Sequence, residues 1–259
     1  MSTLSRIIAR MSNDAIEALI PQLDAVEESP GAAALRARSY ELLRAAPGAL
    51  VVDVGCGTGR AVAELADQGV RVVGIDVDDQ MIALARQRWP YGEFRVGDAN
   101  ALPLGDGEVA GYRADKVIHT LADPGRALAE ARRVLAPGGR IVLCGQDWDT
   151  VVADSTDPEL TRIIVRKRAD QAASPRAARQ YRNLLLDAGF RDVTVEVHTG
   201  VFTDGSFLPV LTRLAEVCCE HGAITREQAD AWIADQRERA RADRLFAAVP
   251  IFMAAATTP

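Results

Sequence analysis

Hydrophobic positions change their spacing along the chain, and this pattern predicts alternating strands and helices. Residues 50–54 form a mostly β-branched apolar run, typical of a strand buried on both faces of a parallel sheet. Residues 61–66 have the spacing of a helix that packs over that strand. Further strands are predicted at 70–75, 93–96, 109–113, 140–144 and 193–197, and further helices at 79–89, 124–135 and 176–188. This order predicts right-handed βαβ units and an α/β fold with a mostly parallel sheet.

Helical segments precede and interrupt the alternation. Residues 1–46 are predicted to form an N-terminal helical cap, and residues 47–259 a single domain. Helical insertions are predicted at about 150–172 and about 205–244, and an apolar run, 246–254, follows the second one. We expect the cap and the insertions to close over the ends of the strands.

Capping chemistry predicts where three helices begin. Asp123-Pro124 and Ser174-Pro175 each place an N-cap residue before a proline at the first helical position. Thr225-x-x-Gln228 has the pattern of a capping box.

A glycine-rich turn follows the first strand and predicts a ligand site. Glycines at this turn let the backbone approach a ligand and leave N–H groups pointing at it. A dinucleotide fingerprint needs glycine or alanine where this chain has Arg60, which disfavours NAD. Asp53 places a carboxylate where a pyrophosphate would be repelled and a ligand with an ammonium and a sulfonium group would be favoured. The ligand predicted is S-adenosylmethionine.

The motif Asp53-x-Gly55-x-Gly57-x-Gly59 resembles the first motif of class I S-adenosylmethionine-dependent methyltransferases. The stretch 123–140 is similar to the "D-P … R-V-L-x-P-G-G" segment of the ubiquinone/menaquinone-biosynthesis type. The resemblance covers about residues 35–145. It implies a doubly wound, Rossmann-like, seven-stranded and mostly parallel sheet, whose last strand is antiparallel, and it implies that Gly55, Gly57 and Gly59 hold the cofactor.

The resemblance also implies further cofactor contacts. Asp76 ends the second strand about 20 residues beyond the glycines, where an acid can accept both ribose hydroxyls. Capping the following helix is its alternative role, and the two roles can coexist. Val77 follows it, and Asp98 with Ala99 occupies the family's adenine-contacting position. Met81 is placed by its helix near the loop, either against adenine or in the core.

Arg38 is a further candidate for the cofactor. It shares a helix face with Leu35 and Leu42, and an arginine there is expected to need an anion. The carboxylate of the cofactor's methionine is one partner; extension of the side chain past the leucines to solvent is the alternative.

Two residues are candidates for catalysis. Methyl transfer to an activated carbon depends mainly on alignment, and it needs a base only where the acceptor holds a proton. His119 is the first base candidate because it follows the fourth strand, although relatives carry their histidine at the place of Thr120. Its alternative role is to cap the next turn. Asp147 is the second candidate because it follows the fifth strand, beside Trp148, which either contacts an acceptor or fills the lid.

Composition restricts partners and location. The 259 residues are 48% hydrophobic, enough for one sizeable core, and the net charge of −6 argues against nucleic acid. The four cysteines have no metal-ligand spacing, so no metal is expected. Neither a signal peptide nor an apolar run of 18 residues is found, which predicts a cytoplasmic protein without membrane association.

The function predicted is methyl transfer from S-adenosylmethionine to a small, partly apolar metabolite, as in natural-product biosynthesis. Two alternatives remain at this stage: a cyclase or pericyclase that keeps the cofactor as a fixed cation, and a non-catalytic cofactor-binding subunit. The partner expected is the small-molecule acceptor, and a homodimer is left open.

Overall fold

The computed structural model describes residues 30–259, so most of the predicted N-terminal cap lies outside the described residues. The helices are α1 (Pro30–Leu43), α2 (Arg60–Asp67), α3 (Asp79–Arg88), α4 (Pro124–Val134), α5 (Pro158–Ala169), α6 (Ala177–Asp187), α7 (Leu208–Glu220) and α8 (Arg226–Arg241). The strands are β1 (Leu50–Val54), β2 (Arg71–Asp76), β3 (Glu93–Val96), β4 (Val109–Asp115), β5 (Leu135–Gln146), β6 (Val152–Ala153), β7 (Arg191–Phe202) and β8 (Ala247–Thr257).

One sheet holds all the strands of the described chain. Its order is β3-β2-β1-β4-β5-β8, after which both β7 and the two-residue strand β6 pair with β8. Strands β1 to β5 are parallel, and β8 runs antiparallel to β5 and β7. The predicted doubly wound, Rossmann-like sheet with an antiparallel last strand is therefore confirmed. The short β6 was not predicted, because two residues carry no periodicity.

Three hydrophobic clusters hold the layers together. One packs α4 and α6 on one face of the sheet, and the second packs α1, α2 and α3 on the other. The third cluster lies within the insertions, where residues of α5, α7 and α8 surround Trp232. The second insertion contains two helices, since Thr225 begins α8 with the predicted capping box. The insertions thus have a core of their own beside the sheet.

Two of the three N-cap residues predicted from the sequence are confirmed. Besides Thr225, Asp123 accepts the backbone N–H of Arg126 at 3.0 Å and precedes Pro124 at the start of α4. The prediction for Ser174 was wrong, because the N-cap of α6 is Arg176. The Ser174 hydroxyl instead donates to the carbonyl of Leu121 at 2.8 Å. This hydrogen bond therefore links Ser174 to the loop after β4 and not to α6.

No helix within residues 30–259 is long and apolar enough to cross a membrane.

The turn after β1 depends on glycines for two different reasons. Gly55 has a φ of 69°, and a Cβ there would lie 2.2 Å from Cγ2 of Val117. Gly59 has a φ of 84°, and a Cβ there would lie 2.7 Å from Cζ of Phe94. Gly57 has a φ of 53°, and its nearest neighbour, Cε of Met81, would be at an ordinary 3.6 Å. Gly55 and Gly59 therefore permit close packing, whereas Gly57 is required only by its backbone conformation.

We predict that Gly55→Ala lowers the free energy of unfolding by about 2–4 kcal/mol, because left-handed strain and a steric clash add. Gly57→Ala, which has the strain without the clash, is expected to cost about 1–2 kcal/mol. Urea denaturation measures both losses. Adding Val117→Ala should recover part of the Gly55→Ala loss in a double-mutant cycle. Equal losses for the two glycines would contradict this explanation.

Candidate active site

A cavity of about 710 Å³ lies at the carboxyl ends of the parallel strands. Its walls come from the turn after β1, the ends of β2, β3 and β4, and the segment after β5. Ala32, Leu35 and Arg36 of α1 and Arg168 of α5 also line it, so helices from outside the alternating core contribute to the walls. Ligands of open α/β sheets bind at this edge, which identifies the cavity as the candidate site.

The predicted loop residues meet at one end of this cavity. Asp53, Gly55 and Gly57 line it, but Gly59 does not. Gly59 begins α2 and packs its backbone against Phe94, so its position serves the contact between helix and strand.

Asp76 fixes the glycine turn from the neighbouring strand. Its carboxylate accepts the backbone N–H groups of Gly57 and Asp78, each at 3.0 Å. Burial raises the pKa of Asp76 above its ordinary value, although these N–H groups oppose the shift. The N-cap of α3 is Asp78, which accepts the N–H of Gln80 at 3.0 Å. The alternative role of Asp76 as that cap is therefore wrong.

The other residues assigned to the cofactor by resemblance line the same end. Val77 is 53% exposed and stands at the cavity wall, whereas Met81 is buried. Asp98 lies after β3, where its carboxylate accepts the backbone N–H of Asn100 at 2.8 Å, and Ala99 is buried beside it. The structure thus brings Val77, Met81, Asp98 and Ala99 together with the glycine turn.

A buried arginine links two acids of this end, and the sequence analysis missed it. Arg113 of β4 is 3% exposed and donates to Asp53 at 2.7 Å and to Asp115 at 3.1 Å. Its Nε donates to the hydroxyl of Ser39 on α1 at 2.9 Å, and its guanidinium lies 5.5 Å from the ring centre of Tyr40. The sequence signal that could have identified Arg113 is a charged residue inside the predicted strand 109–113.

The two carboxylates beside Arg113 respond differently to burial. Burial raises the pKa of Asp53 above its ordinary value, although Arg113 opposes that shift. Burial has the same effect on Asp115, but Lys116 and Arg113 together outweigh it and hold the pKa of Asp115 below its usual range. With Arg113 charged, the cluster of Asp53, Arg113 and Asp115 has one negative charge in excess when both acids are ionised.

Arg38 does not reach the cavity, which corrects the prediction that it binds the cofactor. Its Nε donates to Glu196 of β7 at 2.9 Å, and Nη1 donates to Glu41 at 2.6 Å. The anion that Arg38 needs is therefore supplied by the protein. The α1 arginine in the cavity wall is Arg36, which pairs with Glu64 at 2.9 Å.

Asp147 is also outside the cavity wall, which corrects its assignment as a catalytic residue. Its side chain is fully buried and accepts hydrogen bonds from Arg179, one of them at 2.8 Å from Nη2. The same carboxylate accepts the backbone N–H of Asp149 at 3.0 Å. Asp147 therefore stabilises the turn that presents Trp148.

His119, in the segment after β4, and Trp148, in the segment after β5, both line the cavity. The ring centres of His119 and Trp148 are 5.9 Å apart in an edge-to-face contact. The backbone carbonyl of His119 accepts the N–H of Ser174 at 2.9 Å, which fixes this loop. Burial, Arg168 and Lys116 lower the pKa of His119 to about 4, so the imidazole is neutral at neutral pH.

No group of three or more His, Cys, Asp or Glu side chains within residues 30–259 is arranged to hold a metal ion.

We predict that Arg113→Met lowers the free energy of unfolding by about 3–5 kcal/mol at pH 7, because it leaves buried carboxylates without their cation. The folded-state pKa of Asp53 should rise further, so the folded protein binds a proton more tightly than the unfolded chain does. Stability then increases as pH falls from about 7 to 5, and the loss shrinks over that range. Urea denaturation at both pH values tests this.

Adding Asp53→Asn provides the control, because it removes the group that takes up the proton. The double variant should lose less stability than Arg113→Met and show a weaker dependence on pH. A loss for Arg113→Met that is the same at both pH values would contradict the role assigned to Asp53.

Comparison with known proteins identifies the family. The family described as "Methyltransferase domain" matches residues 52–143. The chain is 34% identical to an uncharacterised 37.1 kDa protein in transposon Tn4556 of Streptomyces fradiae, over 98% of this chain and 75% of that protein. It is 36% identical to O-methyltransferase cnsE of Penicillium expansum, over 59% of this chain and 56% of that protein. Demethylmenaquinone methyltransferase of Beutenbergia cavernae is 37% identical, over 42% of this chain and 45% of that protein.

The fold is similar to a solved methyltransferase structure. Phosphoethanolamine N-methyltransferase 2 of Haemonchus contortus, in complex with S-adenosyl-L-methionine, has a TM-score of 0.58 and 20% identity. The similarity covers 89% of this chain and 54% of that chain. At this identity the comparison supports the fold alone.

The residues at the end of the cavity formed by the glycine turn, here called the glycine end, suit S-adenosylmethionine chemically. Acidic side chains at the ends of β1, β2 and β3 favour a ligand with hydroxyl, amine and cationic groups. The backbone at Gly57 is free of a side chain, so a ligand can approach it closely. The match to the methyltransferase domain and the methyltransferase relatives show that the chain belongs to the class I S-adenosylmethionine-dependent methyltransferases, enzymes whose cofactor is S-adenosylmethionine.

Proposed function

We propose that this enzyme transfers a methyl group from S-adenosylmethionine to a small, partly apolar metabolite. The observation that carries the proposal is that one cavity joins the acidic glycine end to a second end around His119 and Trp148. Leu121, in the segment after β4, and Trp148, in the segment after β5, line that second end. A cofactor and an acceptor can therefore meet inside one cavity.

The glycine end would hold the cofactor. Asp76 accepts hydrogen bonds from backbone groups and keeps a carboxylate oriented at the end of β2, where ribose hydroxyls would find an acceptor. Asp98 and Ala99 would border the adenine, with Met81 packing from α3. Asp53, held by Arg113, would favour the cationic part of the cofactor.

The cofactor, when bound, supplies a methyl group that its sulfonium makes reactive. The chain's own residues would then orient the acceptor in line with that group and exclude water. Such alignment accounts for a large part of the rate in a displacement at carbon. The wall after β4 and β5 suits this role because Leu121 and Trp148 give it apolar surface against which an acceptor can be oriented.

His119 would accept the acceptor's proton or a hydrogen bond from it. Its Nδ1 is buried and has no hydrogen-bond partner among residues 30–259. A neutral imidazole keeps one nitrogen lone pair, so His119 is able to act as an acceptor at neutral pH. A pKa of about 4 makes it a weak base that stays unprotonated at neutral pH.

We predict that incubation with S-adenosylmethionine and the acceptor yields S-adenosylhomocysteine, measured by mass spectrometry across a panel of hydroxylated and amine-bearing metabolites. A cyclase would release a rearranged acceptor with the cofactor unchanged, and a non-catalytic subunit would release neither product. Either of those outcomes would contradict the proposed function.

We predict that Asp76→Asn weakens binding of S-adenosylmethionine by about 1.5–3 kcal/mol, the scale of hydrogen bonds to a charged group. Titration calorimetry measures the affinity, and a thermal melt confirms that the variant is folded. Asp106→Asn is a matched control, because Asp106 is highly exposed and lies outside the cavity wall. Normal cofactor affinity in Asp76→Asn would remove this residue from the binding site.

We predict that His119→Ala lowers kcat by about 10²–10⁴-fold with an acceptor that carries a proton, while cofactor affinity changes little. The wild-type rate should decline only as pH approaches 4, where the imidazole becomes protonated. Initial rates from pH 4 to 8 measure this profile. Equal turnover by variant and wild type, with chemistry limiting the rate, would reject the role.

A further inference from the structure

The two edge strands of the sheet differ in length and in charge. β3 forms one edge with four residues, of which Glu93 and Arg95 are charged and pair with each other. β7 forms the other edge with twelve residues and, within residues 30–259, pairs with β8 alone. Short length and charged side chains protect an edge strand from pairing with another chain. β3 has both kinds of protection, whereas β7 is much longer.

Most of β7 also lacks the irregularities that protect an edge. The register with β8 shifts between Arg191 and Thr194, and Asp192 has a φ of 53°, so only the start of the strand is distorted. From Thr194 to Phe202 the pairing with β8 is regular, and this stretch contains no proline, lysine or arginine. A regular strand with an unpaired side is a template for a further strand.

Valines continue the core face of the sheet to this edge. Val195 and Val197 are opposite Ala254 and Phe252 of β8, and directly opposed residues of neighbouring strands share a face. Ala254 is buried under the helices of that face, but Val195 is 42% exposed, Val197 53% and Val201 57%. A sheet face that is turned to water normally carries polar residues. The exposed valines therefore indicate that another apolar surface covers this edge.

A second copy of β7 matches this edge in charge. Because directly opposed residues share a face, a two-fold axis between two antiparallel copies places one residue opposite its own copy. An axis near the middle of the strand at Glu196 opposes two carboxylates. An axis at His198 opposes two imidazoles and leaves Glu196 opposite Gly200. An axis at Val197 instead places Glu196 of each copy opposite the partner's His198, so charge favours this register.

The apolar side chains match in the same register. Val197 is opposite the partner's Val197, Val195 is opposite the partner's Thr199, and Val201 is opposite the partner's Val193. Pairs of β-branched residues stabilise neighbouring antiparallel strands. Each exposed valine of the edge therefore gains a β-branched neighbour when a second copy pairs with it.

We propose that two copies of this chain form a dimer by antiparallel pairing of β7 about a two-fold axis at Val197, which joins the two sheets into one. The partner is a second copy because the edge is complementary to itself in charge and in side-chain shape. The interface reaches α1, since Glu196 accepts a hydrogen bond from Arg38 at 2.9 Å. Because α1 also contributes to the cavity wall, the dimer axis lies beside a helix of the candidate site.

Sedimentation velocity over protein concentrations of about 1–100 μM tests the proposal without any acceptor. We expect the wild-type chain to be a dimer in this range. Val197→Lys places two ammonium groups opposite each other at the axis and should raise the dissociation constant about 100-fold or more. A monomeric wild-type chain at the highest concentration, or a dimer that Val197→Lys leaves intact, would overturn the proposal.

Val96→Lys is the matched control for this substitution. Val96 is an exposed valine of the opposite edge strand, β3, and lies outside the cavity wall. The variant should remain a dimer, and thermal melts confirm that both lysine variants are folded. Dissociation by Val96→Lys to the same extent as by Val197→Lys would contradict an interface at β7.

Cysteine cross-linking tests the register. Directly opposed residues of antiparallel strands have Cα atoms about 4.5–5.5 Å apart, which a disulfide can bridge. Mild oxidation should therefore join two Val197→Cys chains, as seen on a non-reducing gel. Val201→Cys, on the same strand but opposite the partner's Val193, should give only the wild-type background, to which the partly buried Cys219 contributes. Equal cross-linking of the two variants would overturn the axis at Val197.

Hydrogen exchange distinguishes a second copy from other coverings of the edge. In the dimer, amides of residues 194–202 should exchange slowly, and Val197→Lys should accelerate their exchange. Slow exchange on the outer side of β7 in a wild-type monomer would assign the edge to another segment of the same chain and overturn the proposal.

Discussion

The buried ion pairs of Arg113 are the interaction on which the glycine end of the cavity depends. One guanidinium joins Asp53 at the end of β1, Asp115 at the end of β4 and Ser39 on α1. A buried cation with fixed carboxylates is costly to assemble and costly to break, so it specifies one relative position of its partners. Because α1 contributes to the cavity wall, the same guanidinium relates that helix to the glycine turn.

The sequence predicted the sheet and the cofactor end well because both depend on local patterns. β-branched runs, glycine spacing and capping residues act over a few positions, and the structure places most of the predicted loop residues along one cavity. The predictions of site residues were wrong where a charged side chain pairs with a residue that is distant in the sequence. Arg38 pairs with Glu196, which is 158 residues away, and Asp147 pairs with Arg179 across 32 residues. Periodicity carries no information about such pairings.

Arg113 and Arg168 show a second reason for incomplete prediction. Each lies in an element that was predicted, but its chemical role depends on which neighbours the tertiary structure supplies. Arg113 meets two acids because parallel strands end at one edge, and Arg168 meets Trp148 because an inserted helix packs beside the turn after β5. A resemblance to a family identifies shared motifs, whereas both arginines lie outside the motif that carries the resemblance.

The separate hydrophobic cluster of α5, α7 and α8 has an evolutionary consequence. These helices contain most of their own core, around Trp232, while the cofactor end is supported by the clusters on the two faces of the sheet. Substitutions in distant, separately packed regions usually have additive effects on stability. The insertions can therefore accumulate changes while the glycine turn keeps its geometry, and α5, which contributes Arg168 to the cavity wall, can change that wall.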